Sequence, residues 1–368
     1  MTVVQQGKGV AIVKIGTSSV TDHDGRIDDA ALEKLGQELS AARNLGWHVV
    51  LVLSGAVAAG IPPLGLSERP ADVKTLQAVA AVGQPRLFAR MAELLAPHGV
   101  VAGQVLLDPY DFLHRSQYLH ARDTLGRLLE LGVLPIVNEN DTVADDEIRF
   151  GDNDRLAALV AHLVNASVLI ILTDTGGLFT ADPRIDSEAS LIAQVVEVNA
   201  ALEAVAGGTG TERGSGGMAS KLQAAKIATW SGVRAVIAAA STQDVVALAL
   251  AGKSVGTTVQ PRSDRLGARK LWIAFAQRAE GRVVVDAGAR TALIERNKSL
   301  LPAGIVAVEG EFDIDAAVEV VGPDGQTFAK GLVGMGSSAL RATMGLRSSE
   351  IDDQPAAAIH RDDLVVLS

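Results

Sequence analysis

Cysteine is absent from the 368 residues, and aromatic side chains make up only 3% of them. Without cysteine, the chain can form no disulfide, no thiolate nucleophile and no thiolate metal site. No stretch approaches the roughly 20 consecutive apolar residues that a transmembrane helix needs. Residues 1–9 also lack the apolar run after a basic segment that marks a signal peptide. The sequence therefore predicts a cytoplasmic protein without a membrane partner.

Positive charge is in the minority, with 33 basic against 43 acidic residues and a formal net charge of −10. This balance disfavours broad electrostatic binding to nucleic acid or anionic lipid. A small basic pocket for phosphates stays compatible with it, because such a pocket needs only a few lysines. Hydrophobic residues make up 48% of the chain, so its core is expected to consist mainly of Ala, Val and Leu.

The first two-thirds of the sequence alternates short apolar runs with stretches of helical periodicity. The runs are nearly continuous in aliphatic residues, which is typical of strands covered on both faces in a parallel sheet. The predicted strands are 10–15, 49–53, 100–107, 133–137, 168–172 and 235–239. The predicted helices are 28–45, 71–95, 116–131, 154–164 and 218–231. We therefore predict an α/β three-layer sandwich with a mainly parallel sheet, in a domain spanning 1–262.

After about residue 262 the pattern changes to short strand candidates separated by Gly, Pro and Asp turns. The predicted strands are 271–276, 282–286, 304–308, 317–321, 327–330 and 364–367. Two short helices are predicted between them, at 289–296 and 338–344. This pattern predicts a small β-rich domain at 275–368, after a linker near 260–266.

The first two predicted strands both end in small residues. Lys14 precedes Gly-Thr-Ser-Ser at 16–19, and the second strand runs into Ser54 and a small-residue turn. Small residues let backbone N–H groups approach an anion, and a neighbouring lysine adds positive charge. Ligands of parallel α/β sheets bind at the carboxyl ends of the strands. An ordinary strand end and close helix–sheet packing would explain the same residues.

Amides and carboxylates are concentrated after the fourth predicted strand. Asn-Glu-Asn-Asp-Thr occupies 138–142, and Phe-Gly-Asp-Asn-Asp-Arg opens a helix at 150–155. Such a cluster can hold an amino group and orient lysines, whereas helix capping alone explains about one of these residues. Two further segments follow. Thr173 and Asp174 end a buried strand, and the glycine-rich stretch 207–221 ends in Ser220 and Lys221, either as a phosphate-binding lid or as a surface loop.

Taken together, and in their order along about 260 residues, these segments resemble the amino acid kinase family. The matching points are Lys14 with 16–19, then 54–56, 138–141, 151–154, 173–174 with 177–184, and 215–221. The last hundred residues resemble the PUA domain that many bacterial members carry after the kinase domain. The resemblance implies the amino acid kinase fold for the first domain and a PUA-like fold for the second.

The resemblance also implies an activity, namely ATP-dependent phosphorylation of the side-chain carboxylate of L-glutamate, the first step of proline biosynthesis. Lys14 and Lys221 would neutralise the transferred phosphoryl group, and Asp154 would orient both lysines. Glutamate would be bound by Ser54, Asp141 and Asn153. The residues that would bind ATP are Lys14, Thr173, Asp174, Ser215, Gly216, Gly217, Met218, Ala219, Ser220 and Lys221.

The remaining implications concern the metal and the partners. Mg²⁺ would sit mainly on the phosphate oxygens of ATP, and no protein side chain is assigned to it. The resemblance further implies a homo-oligomer, either a dimer or a tetramer, and feedback inhibition by proline at or near the glutamate site.

Other functions compete with this hypothesis. Family members acting on acetylglutamate, aspartate or uridine monophosphate are the nearest, but a nucleotide substrate would need basic residues where 138–154 is acidic and amide-rich. RNA binding belongs to another class, because PUA domains often bind RNA. Residues 279–368 contain 8 basic and 14 acidic residues, a balance of −6, so nucleic acid is not an expected partner.

Overall fold

In the computed structural model the chain divides into two units, Met1–Arg265 and Leu266–Ser368. The structure describes residues 8–22, 24–112, 114–143, 153–206, 217–347, 350–351 and 357–367. The division lies between the two predicted domain boundaries, at 262 and 275. Within these described ranges, no helix combines the length and the apolar character that crossing a bilayer requires.

One sheet forms the centre of the first unit. Its eight strands are β1 (Val10–Ile15), β2 (His48–Leu53), β3 (Ala102–Leu107), β4 (Leu134–Glu139), β5 (Val168–Thr173), β6 (Gln194–Val195), β7 (Arg234–Ala239) and β8 (Thr257–Val259). The order across the sheet is β3-β4-β2-β1-β5-β7-β8-β6. Neighbouring strands are parallel except for the antiparallel pair β7 and β8. The prediction of a mainly parallel sheet is confirmed.

Helices connect these strands, and some of them begin at aspartate caps. The helices are α1 (Asp29–Asn44), α2 (Ala56–Gly60), α3 (Val73–Leu95), α4 (Arg115–Glu130), α5 (Asn153–Leu163), α6 (Ala200–Ala206), α7 (Met218–Trp230) and α8 (Val245–Leu250). The side chain of Asp28 accepts the first free N–H groups of α1, and that of Asp72 accepts one from α3. Such caps satisfy backbone donors that have no partner within the helix.

Alternation along the strands divides the first unit into layers. In β1, Val13 and Ile15 belong to the hydrophobic core that α1, α3 and α8 cover, together with alternate residues of β2 and β5. Successive side chains of a strand point to opposite faces. Ile12 and Lys14 are therefore directed to the other face of the sheet, where α5 contacts β1 and α7 contacts β5 and β7. The three-layer α/β sandwich is confirmed, and Lys14 lies on the α5–α7 side.

The predicted strand at 100–107 is wrong in two respects. β3 begins at Ala102, and Leu107 is its only buried residue. β3 is an edge strand with β4 as its single neighbour, so its faces are less covered than those of the central strands. An apolar run therefore did not indicate a buried strand here.

The described part of the second unit contains a five-stranded sheet. Its strands are β9 (Gly281–Val285), β10 (Ile305–Glu309), β11 (Ala317–Val321), β12 (Thr327–Leu332) and β13 (Leu364–Val366), in the order β10-β9-β11-β12-β13. The helices are α9 (Ala268–Leu271), α10 (Ala287–Arg296) and α11 (Ser337–Thr343). Val283, Val318 and Phe328 lie in a hydrophobic core of its own. The predicted β-rich second fold is confirmed.

The predicted strand at 271–276 is wrong, because a helix occupies this segment. α9 ends at Leu271 and continues as one π-helical turn, Trp272–Ala276. Leu271 and Ile273 are buried in this helical form. A short apolar run fits a buried strand and a buried helix equally well, so periodicity cannot separate them.

Candidate active site

Four predicted site residues lie at the carboxyl ends of the central strands and in the first turn of α5. Lys14 is the penultimate residue of β1, Ser54 directly follows β2, and β1 pairs with β2 in parallel. α5, which contacts β1, β2 and β4, starts at Asn153 and carries Asp154 in its first turn. Asn153 and Asp154 are both buried, so the first turn of α5 faces the interior of the unit.

Asp154 joins two buried lysines. Its Oδ1 lies 2.6 Å from Nζ of Lys14, and its Oδ2 lies 3.3 Å from Nζ of Lys221. The side chains of Lys14, Asp154 and Lys221 are only 5%, 1% and 8% exposed. Lys221 comes from α7, which packs against α5. The structure thus brings together three residues that are far apart in the sequence.

The charges of this group, which we name the Lys–Asp–Lys cluster, do not cancel. Burial by itself would raise the pKa of Asp154. The charges of Lys14 and then Lys221, with hydrogen bonds from Lys14 and Ser220, outweigh burial and hold that pKa below its usual range. Asp154 is therefore ionised at neutral pH. Two ammonium groups and one carboxylate leave a formal charge of +1, which suits an anionic ligand.

The start of α7 adds hydrogen-bond donors beside the cluster. Ser220 donates its hydroxyl to Oδ2 of Asp154 at 3.0 Å. Gly217 precedes the helix and provides no side-chain cap. The first N–H groups of a helix lack intrahelical partners and carry a partial positive charge, so they attract phosphate groups. Met218, Ala219 and Ser220 form this first turn.

A buried amide side chain, that of Asn153, directly precedes Asp154 in α5. Asn153 donates from Nδ2 to Oγ of Ser54 at 2.8 Å and to Oδ1 of Asn138 at 2.8 Å. These bonds connect the residue after β2, the C-terminal part of β4 and the start of α5. The sequence places Asn138 in a polar cluster and gives it no individual role in the site. Ser54 and Asn153, both predicted to bind substrate, are therefore in direct contact.

Asp141 lies in the turn that follows β4 and is half-buried. Burial raises the pKa of its carboxyl to about 6, although the nearby positive charge of Arg69 partly opposes the shift. A carboxylate in such a position gains from a cationic partner. Asp141 takes no part in the hydrogen bonds between Asn153, Ser54 and Asn138. Its position three residues after Asn138 in the chain is what brings it near them.

The predicted ATP residues fall partly inside the described ranges. Thr173 ends β5, next to β1, and donates its hydroxyl to Oδ1 of Asp174 at 3.0 Å. Its carbonyl oxygen accepts the N–H of Ala240 at 2.7 Å, which connects β5 to the end of β7. Ser215 and Gly216 lie outside the described residues, as do the rest of 207–216 and the predicted motif residues 151–152.

Comparison with known proteins gives a family for each unit. Residues 9–239 match the amino acid kinase family, and residues 281–354 match the PUA domain. Glutamate 5-kinase of Moorella thermoacetica is 45% identical over 97% of this chain and 96% of its own length. Glutamate 5-kinase of Herpetosiphon aurantiacus is 47% identical over 96% of this chain and 97% of its own length.

A third relative, glutamate 5-kinase of Myxococcus xanthus, is 44% identical over 97% of this chain and 96% of its own length. The family match includes every strand of the first sheet except β8, and it includes the Lys–Asp–Lys cluster. The chain belongs to the amino acid kinase family.

Proposed function

We propose that this protein is a glutamate 5-kinase, which transfers the γ-phosphoryl group of ATP to the side-chain carboxylate of L-glutamate. The product is L-glutamyl 5-phosphate, and the reaction is the first step of proline biosynthesis. The observation that carries the proposal is the buried Lys–Asp–Lys cluster between a helix N-terminus and an amide network. The similarity to glutamate 5-kinases along almost the entire chain supports it.

The chemistry requires charge neutralisation more than proton transfer. A carboxylate is already an anion at neutral pH, so no general base has to activate it. The difficulty is to bring that anion to a negatively charged phosphate and to stabilise the in-line transition state. Lys14 and Lys221 would offset this repulsion, and Asp154 would hold both ammonium groups in place. Mg²⁺ bound to the phosphate oxygens of ATP would supply further positive charge.

Each substrate has its own set of groups in this proposal. The α-ammonium of glutamate would pair with Asp141, while Ser54 and Asn153 would hydrogen-bond its polar groups. ATP would contact the end of β5 and the segment that leads into α7. The residues proposed for ATP are Lys14, Thr173, Asp174, Ser215, Gly216, Gly217, Met218, Ala219, Ser220 and Lys221.

The product distinguishes this activity from other kinase reactions. The enzyme is incubated with ATP, Mg²⁺ and glutamate in the presence of hydroxylamine. An acyl phosphate reacts to a γ-hydroxamate, whereas a phosphate ester survives. N-acetylglutamate lacks the ammonium charge, so its kcat/KM is expected to be at least about tenfold lower than that of glutamate. Equal or faster turnover of N-acetylglutamate would contradict the glutamate assignment and leave the kinase assignment intact.

Glutamate use should depend on pH through Asp141. Its pKa of about 6 means that the carboxyl loses its charge as the pH falls through that value. The ammonium group of glutamate stays charged over this range. We therefore expect kcat/KM for glutamate, which reports on the free enzyme, to fall below pH 6 and to approach a loss of about tenfold per pH unit.

Asp141→Asn is the matching variant. It should raise KM for glutamate at least about tenfold at pH 7.5, leave KM for ATP nearly unchanged and abolish the decline of kcat/KM near pH 6. The raised pKa of Asp141 also means that its ionisation weakens the fold as the pH rises from 4 to 7. The variant should thus be more stable than the wild type at pH 7.5, on the order of 1–3 kcal/mol. If the decline of kcat/KM at acidic pH is the same in the variant as in the wild type, Asp141 does not bind glutamate.

We propose that residues 1–265 carry the chemistry and that the second unit has a regulatory or assembly role. Arg262 stacks its guanidinium on the ring of Trp230, 4.5 Å from the centroid, and Arg265 donates a hydrogen bond to Asn165. A chain ending after Arg265 keeps these contacts and is expected to retain glutamate-dependent ATP turnover. If circular dichroism shows that this shortened chain is folded and it is nevertheless inactive, the second unit is required for activity.

We further propose that the enzyme acts in the cytoplasm and that it assembles into a homodimer or homotetramer. Proline is proposed as a feedback inhibitor that binds at or near the glutamate site. Membership of the family supports these proposals. Competition between proline and glutamate in initial-rate measurements would test the last of them.

A further inference from the structure

Gln84 is a buried polar side chain to which neither the sequence analysis nor the proposed mechanism assigns a role. It lies in α3, is 9% exposed, and points into the polar cluster at the end of β4. Its Oε1 accepts a hydrogen bond from Nδ2 of Asn138 at 2.9 Å. Its Nε2 donates to the backbone carbonyl of Glu139 at 3.1 Å. Both functional atoms of the Gln84 amide are thus used.

The backbone of Glu139 sets the direction of every hydrogen bond in this chain of amides. Its N–H can only donate, and it donates to the side chain of Asn138 at 2.9 Å, so the atom that receives it is Oδ1. Its carbonyl can only accept, so the atom of Gln84 that faces it is Nε2. Oε1 of Gln84 must then face Nδ2 of Asn138. The orientation of the two amides therefore follows from backbone chemistry.

The same logic extends to Asn153. Because Oδ1 of Asn138 is an acceptor, the atom of Asn153 that contacts it is Nδ2, and the second N–H of that group goes to Ser54. Both amide hydrogens of Asn153 are consequently occupied. Its Oδ1 is buried and has no hydrogen-bond partner in the described part of the chain. Leaving a buried acceptor without a donor costs free energy, so a ligand that donates a hydrogen bond to this oxygen would bind favourably.

Close helix packing fixes the depth of Gln84. Gly83 lies where a Cβ atom would approach the carbonyl oxygen of Ala56 to 1.8 Å, and a Cβ on Gly60 would approach the carbonyl oxygen of Val79 to 2.0 Å. These glycines allow backbone-to-backbone contact between α2 and α3. Any side chain at position 83 would push α3 outwards and withdraw Gln84 from Asn138.

We infer that Gln84 is a positioning residue that determines substrate specificity: it holds Nδ2 of Asn138 in the orientation that the Glu139 backbone imposes, so that Asn153 presents its carbonyl oxygen to the substrate. A presented carbonyl oxygen accepts a hydrogen bond from an ammonium group and disfavours a carboxylate. The site therefore selects the end of the substrate that carries a free amino group. This inference rests on the proposed function, and it adds a residue that maintains the polarity of the glutamate pocket without contacting glutamate.

Gln84→Met tests the inference, because methionine fills the same volume and can neither hold Asn138 nor bond to Glu139. KM for glutamate is expected to rise about tenfold or more, while KM for ATP stays within about twofold, since a single lost orienting contact corresponds to this range. Gln84→Glu is the conservative variant. Its carboxyl, protonated in this buried position opposite a carbonyl, has one donor and one acceptor and should recover most of the affinity for glutamate.

Met91→Ala is the matched control. Met91 is fully buried in the same helix, and its methyl group packs against Gly36 of α1, away from the amides. The control loosens α3 and should leave KM for glutamate within about twofold. The inference is overturned if Gln84→Met has no effect on KM for glutamate, if KM for ATP rises in parallel, or if Met91→Ala has the same effect. Failure of the wild type to form the γ-hydroxamate would instead overturn the proposed function.

Discussion

Replacing Lys14 or Lys221 by methionine is expected to lower kcat by about 10³–10⁵-fold, the range that one positioned cation supplies in phosphoryl transfer. Methionine keeps the length of the side chain up to Cε and removes the ammonium group, with its charge and its hydrogen-bond donors. Both ammonium groups lie within 3.3 Å of Asp154, in a site where water is largely excluded. Electrostatic stabilisation is strongest in such surroundings, because little solvent screens the charge that develops on the phosphoryl group.

Steady-state rates with saturating ATP and glutamate measure this effect, and circular dichroism confirms that the variants are folded. Lys226→Met is the matched control, since Lys226 is another lysine of α7. It is also paired with a carboxylate, with Nζ 2.8 Å from Oε1 of Glu203, and this pair does not involve Asp154. We expect it to change kcat by less than about twofold, as for an ordinary partly exposed ion pair. Near-native turnover of either cluster variant would show that the phosphoryl group is transferred elsewhere.

The central part of the fold could be predicted from the sequence. The sequence predicts the ends of β1, β2, β5 and β7 to within one residue. These strands are covered on both faces, so nearly every side chain in them is apolar and the run itself marks the element. The long helices α1, α3 and α4 are equally clear in the sequence, because an apolar stripe at a period of 3.6 residues persists over several turns.

Segments whose environment depends on the tertiary structure were predicted less well. The sequence predicts a strand at Trp272–Ala276, which is helical, because a short apolar run fits a buried strand and a buried helix equally well. The strands β6, with only two residues, and β8 were not predicted. Their pairing depends on where the chain returns to the sheet, which a run of two or three residues cannot specify.

The site divides along the same line. Three separate motifs contain Lys14, Asp154 and Lys221, and the resemblance to the family implies a common role for them. Their proximity follows only from the packing of α5 against α7, which the sequence does not show. Gln84 gives no signal in the sequence, since a glutamine in a long helix is usually exposed. Its burial, and the amide orientation that it maintains, are properties of the packed structure.

Asp154→Asn is expected to lower kcat by about 10²–10³-fold without raising KM for ATP. The change removes the carboxylate that holds both lysines, so two buried ammonium groups repel each other and lose their common anchor. The formal charge of the cluster rises from +1 to +2, because the two lysines remain and one negative charge is lost. An anionic nucleotide should therefore bind at least as well as before, while the lysines no longer meet the transferred phosphoryl group in the correct geometry.

Thermal unfolding with and without nucleotide separates positioning from simple charge balance. Breaking a buried ion pair typically costs about 3–5 kcal/mol, so the unliganded variant should melt well below the wild type. A nonhydrolysable ATP analogue brings phosphate charge that replaces the lost carboxylate. Its binding should therefore raise the Tm of the variant more than that of the wild type. If KM for ATP rises instead, and the analogue stabilises the variant less than the wild type, Asp154 acts in nucleotide binding and does not serve as the anchor of the two lysines.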